Sequence, residues 1–455
     1  MTGKEHWMLR IASRLRAATD LGLLLGLLLA VMALLVGPSR GWALTVEEIV
    51  SPKGIKAWLV EEHSVPLIAV KFAFAGGASQ DPAGKEGLAT MVADLLTEGA
   101  GDLSEEAFKA QVSSLGMRLS LAAGRDAIYG GLETLSKRFK PSAALLRLAL
   151  TSPRFDEDAI ERVRSQRLTD LAIAANEPNR MAVDRWYIEA FSGNPYGRPA
   201  DGTAQSVPRI VRDDLTSQHA RLLARGLLKV VIVGDIDKAA ALEALDAIFG
   251  GLPEQGQVAL LAKVSPGPAA QPVVVEKEQP SATVAFGLAS LASDHADFPA
   301  LEVLNHIIGS GDFDASLTEE IRVKRGLAYS VQTGLVHDSI TSILLGAFST
   351  KNETMGSALG VLKEVLATTA RDGPSASQFE NAKRYLTGSF LLDFDTNAKV
   401  ASSLLSIWVD GEKPDYLTRR NQKINAVTLA DVKRVARDVL KTDQLIVTIV
   451  GKPRL

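Results

Sequence analysis

The feature that most constrains this chain is that it repeats itself. The run Leu228-Lys229-Val230-Val231-Ile232-Val233-Gly234-Asp235 has the unbroken apolar pattern of a buried strand ended by glycine. Leu445-Ile446-Val447-Thr448-Ile449-Val450-Gly451-Lys452 restates it, with Gly234 and Gly451 217 positions apart. An acidic helix start precedes each strand, Asp213-Asp214-Leu215 and Ala430-Asp431-Val432, and Asp214 and Asp431 are again 217 apart. Near the front of each half a strand leads into a helix, residues 70–74 then 87–96, and residues 283–288 then 299–308. The order strand, helix, long helical stretch, acid-started helix, strand therefore occurs twice, in a chain of 455 residues with length enough for two cores. The halves are predicted over residues 44–251 and 272–455. Between them, residues 252–271 hold Pro253, Gly256, Pro266, Gly267 and Pro268 without a sustained period and read as a linker. Helices outnumber strands and alternate with hairpin-like strand pairs. The expected class is α+β, two homologous domains with helices packed on a largely antiparallel sheet, facing each other across a chamber.

The N-terminus bears on location. Lys4, Arg10, Arg14 and Arg16 precede an apolar stretch at residues 21–37, and Gly41-Trp42-Ala43 then offers small residues at the two positions a signal peptidase reads. Residues 1–43 thus have the layout of a signal peptide. An uncleaved anchor is the alternative, because the apolar stretch approaches the roughly 20 residues that span a bilayer. Either way the body is expected outside the cytoplasm, in the periplasm of a bacterium. Fifty Lys+Arg against 53 Asp+Glu, a formal charge of -3, argue against a nucleic-acid surface or a polybasic membrane patch. Zero cysteine excludes disulfides, thiolate zinc sites and a cysteine nucleophile. The six histidines, His6, His63, His219, His295, His306 and His337, include no pair at i,i+3 or i,i+4 spacing. His63, beside Glu61 and Glu62, is expected in a solvated hairpin turn ahead of Pro66. Gly309-Ser310-Gly311 lacks the Gly-Lys-Ser/Thr of a phosphate loop and reads as a turn between helices. No Gly-x-Ser-x-Gly elbow stands between a strand and a helix.

Several local sequences, together with the repeat, resemble the insulinase/pitrilysin (inverzincin) zinc peptidase family, which includes the mitochondrial processing peptidases. In the first half they are Gly76-Gly77-Ala78-Ser79, Gly87-Leu88-Ala89, Asn194-Pro195-Tyr196-Gly197-Arg198-Pro199 with Gly202-Thr203, and Val233-Gly234-Asp235. In the second half they are Gly309-Ser310-Gly311-Asp312-Phe313, Leu317, and the run from Arg322 through Gly326-Leu327-Ala328-Tyr329 to Val331. The resemblance spans roughly residues 44–453. Active members carry His-x-x-Glu-His on the helix after the Gly-Leu-Ala turn, two histidines one helical turn apart for zinc and a glutamate that activates its water. Here Thr90 and Asp94 stand where the histidines belong and Ala93 where the glutamate belongs. The family's third ligand, a glutamate on a later helix, aligns with Asp170, 76 positions after Asp94. The resemblance therefore implies a degenerate metal site, no metal in this chain and no hydrolysis by it alone. Two carboxylates, Asp94 and Asp170, could in principle hold a hard cation, and that is the alternative reading.

What the resemblance implies is retained lies in the second half. Residues 318–325 have helical periodicity with Glu319 and Glu320 early and Arg322, Lys324 and Arg325 late, Gly326 is a natural C-cap, and residues 327–335 read as a strand begun near Tyr329. In the family, an arginine and a tyrosine with this spacing contact substrate near the scissile bond, and Arg322 and Tyr329 match that pair. The implied arrangement is a heterodimer with a homologous zinc-bearing subunit. This chain would bind peptide substrate and supply Arg322 and Tyr329 in trans, while zinc sits on the partner. A non-enzymatic scaffold or peptide-binding pseudopeptidase is the second reading.

Overall fold

The computed structural model describes residues 44–267 and 271–455, so the signal segment expected at residues 1–43 lies outside the described residues. Among the described residues no helix is long and apolar enough to cross a membrane. The first sheet contains β1 (Glu47–Val50), β2 (Lys56–Glu61), β3 (Leu67–Ala75), β4 (Arg118–Ala123), β5 (Ala127–Leu135) and β6 (Leu228–Gly234), in the order β1-β2-β6-β3-β5-β4. The second contains β7 (Val273–Glu276), β8 (Ser281–Ala289), β9 (Val331–Asp338), β10 (Thr341–Lys351) and β11 (Ile446–Gly451), in the order β7-β11-β8-β10-β9. With β1 set aside, the two orders are the same. In each sheet the pair at one end, β2 with β6 and β7 with β11, is parallel, and the remaining pairs are antiparallel.

The repeat extends to single backbone groups. Gly234 and Gly451 close their strands at φ 140° and 144°, a conformation that L side chains rarely adopt. A Cβ at Gly234 would lie 2.1 Å from the carbonyl oxygen of Leu67. Asp214 and Asp431 each reach back three residues to accept a backbone N–H, from Val211 at 2.9 Å and Thr428 at 3.0 Å. One expectation fails here. His63 does not sit in a hairpin, because β6 lies between β2 and β3, and the connection crosses the end of that strand. The parallel pairing of β2 with a strand about 170 residues away leaves no local signal in the sequence.

The helices of the first half are α1 (Leu88–Leu95), α2 (Glu105–Leu115), α3 (Phe139–Thr151), α4 (Glu157–Ala174), α5 (Pro178–Ala190), α6 (Arg212–Leu222) and α7 (Lys238–Phe249). Those of the second are α8 (Phe298–Asn305), α9 (Met355–Asp372), α10 (Ala376–Ser389), α11 (Asn397–Val409), α12 (Tyr416–Ala426) and α13 (Leu429–Val439). Alternate residues of β3, Ile68, Val70, Phe72 and Phe74, enter a core with Met91, Leu146 and Phe249. Val284, Phe286 and Leu288 of β8 do the same with Leu304, Leu362 and Val432.

The other face of each sheet is covered by the opposite half. Helix α5 lies on β8 and β11, where Ala182, Trp186 and Ala190 join Ala285, Ile446 and Val450 in a third buried cluster. The Trp186 indole donates to Ile446 O at 3.3 Å, and Thr448 Oγ1 donates to Ala182 O at 2.7 Å. Helix α11 lies reciprocally on β3 and β6, with Trp408 stacked on Trp58 at 4.9 Å. The halves thus exchange one helix each, and residues Val46–Leu455 form a single unit.

The family-like run at residues 194–199 helps to join the halves. Tyr196 is buried, and its hydroxyl donates to Asp126 and lies 3.1 Å from Ser339 Oγ in the β9–β10 turn. Ser339 N donates to Asp126 Oδ2 at 2.7 Å. The neighbouring Asp338 has a shielded Oδ2 with no hydrogen-bond partner. Burial, and then the charge of Asp126, push its carboxyl up to about 6, with Arg125 opposing. A carboxyl whose folded pKa lies above its unfolded value destabilises the fold when ionised. That effect is full above about pH 6 and disappears as pH falls below the unfolded value. Asp338→Asn is therefore expected to raise stability at pH 8 by about 1–3 kcal/mol and to leave it nearly unchanged at pH 4. Urea unfolding at the two pH values measures this, and an equal effect at both would refute the electrostatic account.

Candidate functional site

Helix α1 carries the degenerate metal positions, and three donors converge on the one carboxylate that holds its N-terminus. Asp81 is buried and accepts from Gly87 N at 2.9 Å and Ala89 N at 3.0 Å, satisfying donors that no helical carbonyl reaches. Gln218 Nε2 adds a longer contact at 3.3 Å. Burial raises the Asp81 carboxyl to about 7 against these donors. Gly87, at φ 93°, presses against residues 201–202, and a Cβ there would lie 2.8 Å from Asp201 O. The Gly87-Leu88-Ala89 and Gly202-Thr203 runs are thus two sides of one backbone contact.

Along α1, Thr90 is buried and its hydroxyl donates to Ala200 O at 3.3 Å, while Ala93 is packed in the first core. Asp94 accepts two hydrogen bonds from one guanidinium on α4, from Arg167 Nε at 2.5 Å and Nη2 at 2.6 Å. Asp170, one turn further along α4, lies 3.9 Å from Arg167 Nη1 and accepts from Gln166 at 2.8 Å. The two acids lie on either side of one guanidinium, that of Arg167. Zinc needs three or four imidazole, thiolate or carboxylate ligands. Thr90 and Ala93 supply none, and both oxygens of Asp94 face a cation of the protein's own, so this donor set does not fit zinc. Among the described residues no group of three His, Cys, Asp or Glu is placed to hold a metal ion.

Arg167 was not among the expected site residues. Its signal in the sequence is an i,i+3 spacing with Asp170 on one helix face, which any solvated ion pair shares.

In the second half, Arg322 lies in a wide helical turn (Thr318–Val323) and Tyr329 in the coil before β9 rather than within the strand, which starts two residues later at Val331. Leu327 N donates to Ile321 O at 2.8 Å, and Gly326 N to Arg322 O at 2.9 Å, so the turn closes before the strand can begin. The Arg322 guanidinium lies 4.6 Å from the centroid of the Phe313 ring and 4.7 Å from that of Tyr329. Both rings are open to solvent, Phe313 at 64% and Tyr329 at 83%. The other bases of this turn are taken: Lys324 pairs with Glu320 at 2.7 Å, and Arg325 donates to the same carboxylate. Arg322 has no carboxylate partner among the described residues. Phe313, within the Gly309 to Phe313 run, had no role assigned from sequence, and the structure makes it the second face of the arginine stack.

Comparison with known proteins places the whole arrangement. Residues 58–204 match the family model described as Insulinase (Peptidase family M16), and residues 209–386 match that described as Peptidase M16 inactive domain. The non-peptidase homologue YmxG of Helicobacter pylori is 28% identical over 348 residues, covering 76% of this chain and 80% of that protein. The mitochondrial-processing peptidase subunit beta of Lentinula edodes is 22% identical over 375 residues, 78% of each chain. Among solved structures, the peptidase M16 inactive domain from Pseudomonas fluorescens matches with a TM-score of 0.85 at 25% identity, over 90% of this chain and 98% of that one. A protease from Helicobacter pylori shares the fold with a TM-score of 0.81 at 19% identity, over 90% and 99%. The two family matches adjoin along most of the repeated body, and the chain belongs to the insulinase (M16) peptidase family, as a member in which Thr90, Ala93 and Asp94 hold the positions of the inverted zinc motif.

Proposed function

We propose that this chain is the non-catalytic, substrate-binding subunit of an exported heteromeric zinc metallopeptidase, pairing with a homologous zinc-bearing chain and contributing Arg322 and Tyr329 to its site. The observation that carries the reading is the arginine clamped between two exposed rings with no carboxylate to neutralise it. A guanidinium so held keeps its outward donors for a peptide carbonyl or carboxylate, and a tyrosine hydroxyl beside it can donate to an oxygen that becomes negative during peptide hydrolysis. Both groups act through position, and neither has to change protonation. One relative is by name a subunit of a processing peptidase, which is in keeping with a paired arrangement.

The Arg167 guanidinium between Asp94 and Asp170 also supports a second reading, a non-enzymatic pseudopeptidase that acts as a scaffold or peptide-binding protein and adds nothing to hydrolysis. Mixing this chain with a zinc-bearing relative from the same organism separates the two. The expected result is a stable complex by size exclusion, zinc that follows the relative, and peptidase activity that rises on adding this chain. Activity that depends on the relative alone would leave the scaffold reading standing.

A further inference from the structure

A cavity of about 1000 Å³ lies between the two halves, and neither Asp94 nor Arg322 lines it. Its volume and its place between two structural halves are those of small-molecule sites. Four of the cations along its wall are engaged, and Lys263 is a lining base without an ion pair among the described residues. Arg420 pairs with Glu302 at 3.1 Å and Lys423 with Glu412 at 3.1 Å. The Lys229 ammonium donates to Trp408 O at 2.6 Å, and Arg125 donates to Tyr196 O at 2.6 Å while lying over the Tyr187 ring at 4.2 Å.

The acids at one end of the cavity are different. Asp126, Asp338 and Asp410 line it around Tyr129, and all three carboxylates bear electrostatically on that phenol. Asp126 is satisfied by Tyr196, Ser339 and Ser79, yet none of the three acids has a cation in ion-pair contact among the described residues. Asp338 Oδ2 and, one residue earlier, His337 Nε2 are both shielded from water without a hydrogen-bond partner. Asp338 and Asp410 nevertheless keep accessible area on the cavity wall, so carboxylates without a paired cation stand open there to a group that brings its own donors.

We propose that this cavity binds a primary ammonium group carried by a small amine or a short basic peptide, with Asp338 and Asp410 accepting its hydrogen bonds and the Tyr129 ring packing on its alkyl chain. The unpaired acids disfavour an anion. A bare metal ion would need a cage that no three acids or histidines form among the described residues, whereas an ammonium carries three donors that separated acceptors can share. The site stands apart from the reading given above and does not depend on it.

Calorimetric titration of the full mature chain with trilysine and with spermidine, with triglutamate as the opposite-charge control, tests the proposal. Both amines binding identifies the ammonium as sufficient, and trilysine alone binding identifies a peptide source. Asp338→Asn and Asp410→Asn are each expected to weaken that binding about tenfold or more, the loss expected for a charge-assisted hydrogen bond. Asp372→Asn, an exposed acid paired with Arg371, is expected to leave it within about twofold. No binding of either amine at about millimolar concentration, or equal binding by wild type, Asp338→Asn and Asp410→Asn, would overturn it.

Discussion

In the complex with a zinc-bearing relative, Tyr329→Phe is expected to lower turnover by about a hundredfold to a thousandfold, the usual loss when one preorganised oxyanion donor is removed. The substitution takes away a hydroxyl and leaves the ring that faces Arg322. Because Tyr329 is 83% exposed in the isolated chain, folding should change by no more than about 0.5 kcal/mol. Arg322→Ala is expected to lower turnover and to raise KM as well, since it removes a donor fork that holds substrate before the reaction begins. Arg325→Ala is the matched control: the same charge is lost three residues away, from a side chain already held by Glu320. Turnover and KM within about a factor of two of wild type for both site variants, with the control behaving identically, would remove Arg322 and Tyr329 from the mechanism.

The largest stability effect is expected at Arg167. Arg167→Ala leaves Asp94 without its counterion beneath the first core, and removing one partner of a buried pair typically costs about 3–5 kcal/mol. The two side chains retain 24% and 23% exposure, so about 2–4 kcal/mol is expected here. Asp94→Ala combined with Arg167→Ala should recover part of that loss, because no uncompensated charge remains. Arg167→Lys should fall between, since an ammonium cannot bond both carboxylate oxygens as a planar fork does. A double-mutant cycle by urea unfolding measures the coupling. Additive single effects, each below about 0.5 kcal/mol, would show that α1 and α4 are held by apolar packing alone and that the guanidinium has no structural role.

The repeated strands and acid-started helices were legible because each is a local pattern: an unbroken apolar run before Gly234 and Gly451, and an aspartate that caps its own helix at Asp214 and Asp431. The identity of residues 90, 93 and 94 was equally plain. What could not be read is what depends on distant chain. Asp94 finds its partner 73 residues away on a helix whose charges all resemble solvated surface, and the position of β6 between β2 and β3 has no signature in either strand. The placement of Tyr329 ahead of β9 follows from the Leu327 to Ile321 closure, which delays the strand beyond the point where β propensity begins. Phe313 was invisible for another reason, because exposed aromatic residues are ordinary until two of them are found to flank one cation.

The exchange of α5 and α11 has a consequence for how the chain reaches its native state during synthesis. Trp186 closes on the carbonyl of Ile446, 260 residues later in the sequence, so the first half leaves the ribosome with a helix whose docking surface has not yet been made. Its own sheet meanwhile lacks α11 over β3 and β6 until residue 409 has emerged. At about 5–20 residues per second, that interval lasts on the order of ten seconds to a minute, far longer than a helix or hairpin needs to form. The apolar faces of α5 and of the first sheet stay bare for most of that interval, and acquisition of the fold is therefore limited by the completion of its last strand, β11, more than by the intrinsic speed of either half.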